Sequence, residues 1–291
     1  MSASKLLLTI MYIAVSALAV FVGLLVFFDP FGSYWLADSS VRVPILMYHH
    51  FADDGNPSTT ISAEVFEGHL RALRDAGYTA VSFGELVDYV DNGTALPERP
   101  VVITIDDGYR SVYDVAFPLL REYDMHAISF IVGVSHGSDV YKDTARPILP
   151  RFGDAEAVEM VESGVISIQS HSFDMHHHEP FETGDFRQGV LMRGDETEQE
   201  YVSAFTEDFH LAAGQIEAML GERVFVYSYP YGIHTGLTER LLRDFGIRAT
   251  LTIEPGMNIV VAGSPETLFA MRRFNVPGGM GAEALLRMIG G

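Results

Sequence analysis

The chain has 291 residues, 48% apolar and 20% charged, a composition that excludes disorder and allows one large domain or two small ones. It has no cysteine, which excludes disulfides, thiolate nucleophiles and thiolate metal sites, so any metal must be held by His, Asp or Glu. A net charge of −20 argues against nucleic acid and anionic lipid as partners; it suits a neutral or cationic substrate, or simply keeps an exported domain soluble.

The first predicted element is the uncharged run from Leu6 to Phe28, long enough to cross a hydrocarbon layer of ~30 Å as a helix. The following "SYWLADSS" is a poor cleavage site, with Tyr34 where a small residue belongs. An uncleaved single-pass anchor over residues 1–40 is therefore expected, with secretion after signal cleavage as the alternative. Lys5 before the span places the N-terminus inside and the rest outside the cytoplasm.

From residue 41 to 291 strand-like runs recur: "ILMY", "TAVSF", "VVITI", "AISFIV", "VISIQ", "VFVYSY", "RATLTI" and "RRFNV". Most are apolar throughout, as in strands buried on both faces of a parallel sheet. Helical patterns separate most of them. "SAEVFEGHLRALRDAGY" begins at a Ser62 cap and puts Val65, Phe66, Leu70 and Leu73 on one stripe. "EAVEMVESG", the long "TEQEYVSAFTEDFHLAAGQIEAMLG" and "GLTERLLRDFG" end at Gly164, Gly221 and Gly246, and "AEALLRMIGG" closes the chain. About eight alternations predict an α/β parallel architecture, a barrel first and an open doubly wound sheet second. No Gly-rich phosphate loop follows any strand. A polar insertion at about 177–200 breaks the rhythm and reads as a lid or a surface loop.

In parallel α/β folds reactive groups collect at the C-terminal ends of strands. After "ILMY" come His49 and His50; after "VVITI" come Asp106, Asp107 and Gly108; after "AISFIVGV" comes His136; after "VISIQ" comes "SHSFDMHHH"; after "VFVYS" comes "YPYG". A divalent cation among these carboxylates and imidazoles would offset the repulsion of adjacent aspartates, leaving one as a base. Two His and one Asp are a common ligand set for a catalytic Zn²⁺.

"TIDDG" resembles the T-F-D-D-G motif of the polysaccharide deacetylases, the NodB-homology or carbohydrate esterase family 4 proteins. "HSFDMH" is similar to their H-[ST]-x-x-H motif with one extra residue, a spacing found in the poly-N-acetylglucosamine deacetylase branch. "PILMYHHF" and "YPYG" also resemble that branch, and the likeness covers roughly Val43 to Pro277. The resemblance implies a distorted (β/α)₇ barrel of the NodB-homology type, so one of the eight strands would lie outside it. It implies Asp106 as general base and Asp107, His171 and His176 as ligands of a divalent metal, Zn²⁺ first and Co²⁺, Ni²⁺ or Mn²⁺ as alternatives. The turn of Tyr229, Pro230 and Tyr231 would line the groove, with a backbone N–H near Tyr231 for the oxyanion, and His49 and His50 beside it as further substrate-binding residues.

Two features depart from the family. Its third motif carries an arginine where this chain reads Tyr227, Ser228 and Tyr229, and Arg272 or Arg273 is the candidate replacement. Its late histidine is missing, which leaves His234 as the first candidate for general acid and His49 and His50 as the others. The implied activity is hydrolysis of N-acetyl groups from N-acetylglucosamine residues of a cell-surface or cell-wall polysaccharide. The alternatives are a sugar O-acetyl esterase, or a polysaccharide-binding protein of low turnover on the same fold.

Other residues have plainer readings. His177 and His178 are expected at the surface and Asp174 in its own turn. His69, His126 and His210 are expected in packing or surface roles, and His136 in a loop. Tyr229 and Tyr231 either stack on sugar rings or pack around the proline turn.

Overall fold

The computed structural model describes residues 40–142, 144–177, 182 and 186–290. The expected anchor over 6–28 and His178 lie outside these residues, as does part of the 177–200 insertion. Among the described residues no helix is long and apolar enough to cross a membrane.

The strands are β1 (Ser40–Val43), β2 (Ile45–Tyr48), β3 (His50–Phe51), β4 (Thr60–Ile61), β5 (Thr79–Ala80), β6 (Pro100–Asp106), β7 (Ala127–Ile131), β8 (Ile166–Ser170), β9 (Val226–Ser228), β10 (Ala249–Leu251), β11 (Asn258–Val261) and β12 (Phe274–Asn275). The helices are α1 (Ala63–Asp75), α2 (Phe83–Asn92), α3 (Phe117–Glu122), α4 (Asp154–Glu162), α5 (Glu198–Leu220), α6 (Gly236–Asp244) and α7 (Ala282–Gly290).

The main sheet runs β10-β9-β8-β7-β6-β2-β12, with every pairing parallel. All eight sequence-predicted strands are in it. The eighth, the short β5, pairs with the start of β6 off this path of seven. The sheet curls. Met271 bridges to Leu251 of β10, and Phe274 and Asn275, three and four residues later, pair with Leu46 and Met47 of β2. The last segment thus spans the gap between the two sheet edges. Because the strands are parallel, their C-terminal ends open on one face, where the histidines and aspartates stand.

The elements form where local chemistry directs them. Up to Asp106, β6 is apolar apart from Thr104, and it is buried at every position, as the middle strand of such a sheet must be. α1 starts at Ser62, whose side chain accepts from the Val65 N–H, and buries Phe66, His69, Leu70 and Leu73. α5 starts in a capping box, Thr197 with Glu200, and ends at Gly221 in the left-handed conformation. Its inner face buries Tyr201, Phe205, Phe209 and Ile216 against the sheet. His69 is a packing residue, bonded to Tyr48 and to the Met280 carbonyl.

Candidate active site

Successive strand residues point to opposite faces, so two adjacent aspartates cannot both face one cleft in extended backbone. The chain resolves this at Asp107, whose φ of 73° is left-handed, a conformation Asp tolerates better than most residues. Asp106, the last residue of β6, lines the cleft at the strand ends, and the turn at Asp107 and Gly108 brings the second carboxylate to the same cleft. Ser172 (φ 77°) after β8 and Tyr231 (φ 57°) after β9 make equally sharp departures, so the three strand ends around the cleft share one device.

Asp106 is buried and gripped by Arg273. Nη1 donates to Oδ1 at 2.7 Å and Nη2 to Oδ2 at 2.8 Å. The remaining donors go to Thr252 O, Thr104 Oγ1 and Ser228 Oγ, which satisfies all five N–H groups of a guanidinium that is 0% exposed. Burial alone would raise the Asp106 pKa; the Arg273 charge, then His171, outweigh it and hold the carboxyl below its usual range. Of the two candidate replacements for the motif arginine, Arg273 is the one that bonds Asp106, and Arg272 faces out to Glu254. Tyr227, which stands in the motif arginine's place, is buried in the core.

Asp107, His171 and His176 offer ligand atoms that lie within 4.8 Å of one another. Asp107 Oδ1 is 3.7 Å from His171 Nε2 and 3.6 Å from His176 Nε2. Ligands of a tetrahedral ion with bonds of about 2.0–2.1 Å stand roughly 3.4 Å apart, so little movement would be needed. The tautomers also suit. His171 Nδ1 donates to the Ser228 carbonyl at 2.7 Å, which leaves the Nε2 lone pair free. Tyr231 Oη donates to the His177 carbonyl at 2.7 Å and lies 3.2 Å from His176 Nδ1, so it accepts that N–H and again frees Nε2. Burial, with Asp107 nearby, pushes the Tyr231 hydroxyl well up and keeps it a donor. Asp107 Oδ1 itself is buried with no hydrogen-bond partner. An orphaned carboxylate oxygen facing two imidazole lone pairs fits a divalent cation. Burial raises the Asp107 pKa, but His176, His49 and Arg151 together bring it well below the ordinary range.

These groups line a cleft of about 390 Å³ with Met47, His49, Ser58, Thr59, Tyr229, Ile253 and Asn275. His49 Nδ1 is buried there without a partner. The other sequence candidates fall elsewhere. His50 points away, its Nδ1 2.8 Å from Ser111 Oγ and its ring against Tyr109. His234 stacks on Tyr229 at 5.2 Å and does not line the cleft. Pro230 is buried in the turn. Tyr229 contributes to the wall, but its ring is buried and its hydroxyl bonds Glu239, so it packs rather than offering a face to a sugar. Asp174 stays out of the triad, as expected, and pairs with Lys142 and His177. His177 is only 17% exposed, not the surface residue expected, because Asp174 and the Phe186 ring stand against it. His136 holds Asp154 in its loop.

Asp208 escaped the sequence reading. It lies on the buried face of α5 and accepts the backbone N–H groups of Phe173 (3.0 Å) and Asp174 (2.6 Å). It thereby fixes the loop that carries both histidines. The signal was present: Tyr201, Phe205, Asp208 and Ala212 share one helical stripe, and the one carboxylate in it needed a reason.

Residues 93–250 match the family model described as polysaccharide deacetylase. The provisionally named polysaccharide deacetylase YxkH of Bacillus subtilis (strain 168) is 28% identical over 87% of this chain and 78% of its own length. The poly-β-1,6-N-acetyl-D-glucosamine N-deacetylase of Escherichia coli (strain K12) is 27% identical over 64% of this chain, but the match spans only 30% of that longer protein. Among solved structures, a de-N-acetylase from Aggregatibacter actinomycetemcomitans superposes with a TM-score of 0.73 at 24% identity, covering 85% of this chain and 100% of the other. IcaB from Ammonifex degensii gives 0.67 at 21%, covering 86% and 100%. These two show the same fold.

Proposed function

The chain belongs to the polysaccharide deacetylase family, and we propose that it removes N-acetyl groups from N-acetylglucosamine residues of a cell-surface polysaccharide. The observation that carries this reading is the pairing of two unlike carboxylates in one cleft: Asp106 saturated by Arg273, and Asp107 orphaned beside two imidazoles. The names of the Escherichia coli and staphylococcal relatives support the polymer.

Asp107, His171 and His176 would hold the divalent ion, Zn²⁺ first. When bound, it supplies Lewis-acid polarisation of the acetyl carbonyl and acidification of water. Asp106, ionised at neutral pH, takes the proton of the attacking water. The backbone N–H near Tyr231 donates to the oxygen that gains charge. The C–N bond then breaks, and the departing amine needs a proton. His49 is the donor, because it is the histidine in the cleft outside the proposed triad and its Nδ1 has no other partner; His234 and His50 are already engaged. The products are acetate and a glucosamine residue. The uncharged Leu6–Phe28 run would anchor the domain outside the cytoplasm, near its polymer.

The test is acetate release from N-acetylglucosamine oligomers by metal-loaded protein. Asp106→Asn and His49→Gln should each lower kcat by about 10²–10⁴-fold, the usual contribution of a positioned base or acid. Release from O-acetyl sugars alone would replace the amide by an ester substrate, and the loss in His49→Gln would then shrink, since an alkoxide leaving group depends less on a buried acid. Release unaffected in Asp106→Asn would overturn the assignment of the base.

A further inference from the structure

The described part of the insertion that leads into α5 is tightly tied. Arg187 is buried and donates to the Leu191 carbonyl at 2.7 Å and to Glu196 Oε2 at 2.9 Å, with its second Nη on Glu196 Oε1. Glu196 Oε2 also accepts the Arg193 N–H, and the Gln188 carbonyl accepts the Leu191 N–H, which closes a turn. Val190 is buried in the core, and its carbonyl accepts the Tyr201 hydroxyl of α5 at 2.7 Å. The segment is thereby fastened to the start of that helix.

Gly189 is where this segment meets the active site. Its φ of +57° is left-handed, and a Cβ there would stand 2.9 Å from Pro230 O, 3.6 Å from Ile233 Cβ and 3.7 Å from Tyr231 Cδ2. Pro230 O belongs to the backbone and already accepts the Ile233 N–H at 3.2 Å. Only a glycine lets the two backbones come this close. Across the contact lies the turn of Tyr229, Pro230, Tyr231 and Gly232. Tyr231 holds a φ of 57°, a strained conformation that persists only where the surroundings over-determine it. The Tyr229 hydroxyl on Glu239 fixes one end of the turn. Gly232 fixes the other, since a Cβ there would lie 2.5 Å from the Ile253 nitrogen. Gly189 presses on the middle. Of a fastened segment and a strained turn, the turn is the one that yields when the contact is overfilled.

We propose that residues 187–196 are a fixed strut rather than a lid, and that Gly189 is a positioning residue that sets Tyr231. Tyr231 serves the reacting centre twice. Its hydroxyl lies 3.2 Å from His176 Nδ1 and accepts that N–H, which aims Nε2 at the proposed ion. A partner of this kind orients a metal-binding imidazole, and its loss typically weakens metal by about 10–100-fold. The backbone N–H near Tyr231 is the proposed donor to the oxygen that gains charge, and this second part rests on the deacetylase reading. The strut therefore couples the insertion to the metal ligand through one ring.

The experiment reads Zn²⁺ affinity of the full chain by competition with a chromophoric chelator, without turnover. Gly189→Ala and Tyr231→Phe should each weaken Zn²⁺ by about tenfold or more. The double variant should bind about as Tyr231→Phe alone, because both changes act through one hydroxyl. Gly189→Asn relieves the left-handed strain but keeps the Cβ, so it should melt closer to wild type than Gly189→Ala and still bind Zn²⁺ weakly. Gly221→Ala is the control: its φ of +71° is also left-handed, but a Cβ there meets no described atom within 4 Å, and its Zn²⁺ affinity should stay at the wild-type value. Wild-type affinity in Gly189→Ala, recovery of affinity in Gly189→Asn, or losses that multiply in the double variant would overturn the strut. Failure of the wild type to release acetate from oligomers, by contrast, would count against the deacetylase reading and leave the order of Zn²⁺ affinities standing.

Discussion

Asp106 and Arg273 show how far a residue's behaviour is set by its partner. With the guanidinium saturating both oxygens, the carboxyl's pKa is lowered, so the group is fully ionised from mildly acid pH upward. In the wild type, the acid limb of kcat/KM due to Asp106 should therefore lie below the ordinary aspartate value of about 4. Replacing Arg273 by Met leaves a buried carboxylate with its desolvation cost and without its main compensation. Its pKa then rises, the limb moves up through the neutral range, and activity at pH 7 should fall by about 10²-fold or more. The same change breaks a buried ion pair, at roughly 3–5 kcal/mol. Arg273→Lys, which keeps the charge but not the paired donors, separates the two effects: it should fold, and its limb should shift upward by less. A limb that stays in place in Arg273→Lys and Arg273→Met alike would mean that Arg273 does not govern the base. The sequence showed two adjacent arginines near the last strand; strand alternation, which sends one inward and the other to solvent, decides between them.

At the scale of elements, the site is a set of strand ends held by side chains from elsewhere. The histidine loop after β8 is tied from behind by Asp208 of α5, 34 and 35 residues downstream of the N–H groups it accepts. Burial pushes the Asp208 carboxyl up to about 6, and the two backbone N–H bonds only partly offset that. The sign follows from proton counts. Between about 4, the unfolded value, and 6 the folded state binds more protons, so stability from this group is full below pH 4 and is lost as pH rises through 6. The loss is roughly 3 kcal/mol for a shift of about two units. The difference in unfolding free energy between wild type and Asp208→Ala, from urea melts at a series of pH values, should fall by about that amount from pH 4 to 7. Ala also orphans two backbone N–H groups, at about 1–3 kcal/mol each, so the variant should be the less stable at pH 4. A flat difference curve would show that Asp208 titrates normally. Most strands and helices were legible because each carries its own period and caps, Ser62 and Gly221 among them. The insertion's anchoring was not. Arg187, which bonds Glu196 and the Leu191 carbonyl beneath the Tyr201 ring, looks in the sequence like any polar loop residue. The general-acid candidates illustrate the same limit, because whether His234 or His49 faces the cleft depends on packing around Tyr229, not on spacing.

For the whole molecule, parallel strands gather every reactive end on one face, and the curl of the sheet brings β6, β8, β9 and β12 around a common centre. Asp107, His171 and His176 come from two strand ends whose mutual position exists only in the folded sheet. An ion held by all three therefore binds the native state and not the unfolded chain, and its binding free energy becomes folding free energy. At a free concentration about a hundred times the dissociation constant, the gain is about 2.7 kcal/mol. For a domain of this size, where each kcal/mol moves the midpoint by about 2–4 °C, the melting temperature should rise by roughly 5–10 °C on adding Zn²⁺ and fall back with chelator. Asp107→Asn, which removes the orphaned carboxylate charge at the centre of the three, should abolish the rise. Asp106→Asn should keep it, since Asp106 spends both oxygens on Arg273 rather than on the ion. An equal rise in Asp107→Asn would place the ion elsewhere. Loss of the rise in Asp106→Asn would mean that the two carboxylates share the ion, and the division of labour between ligand and base would fall with it.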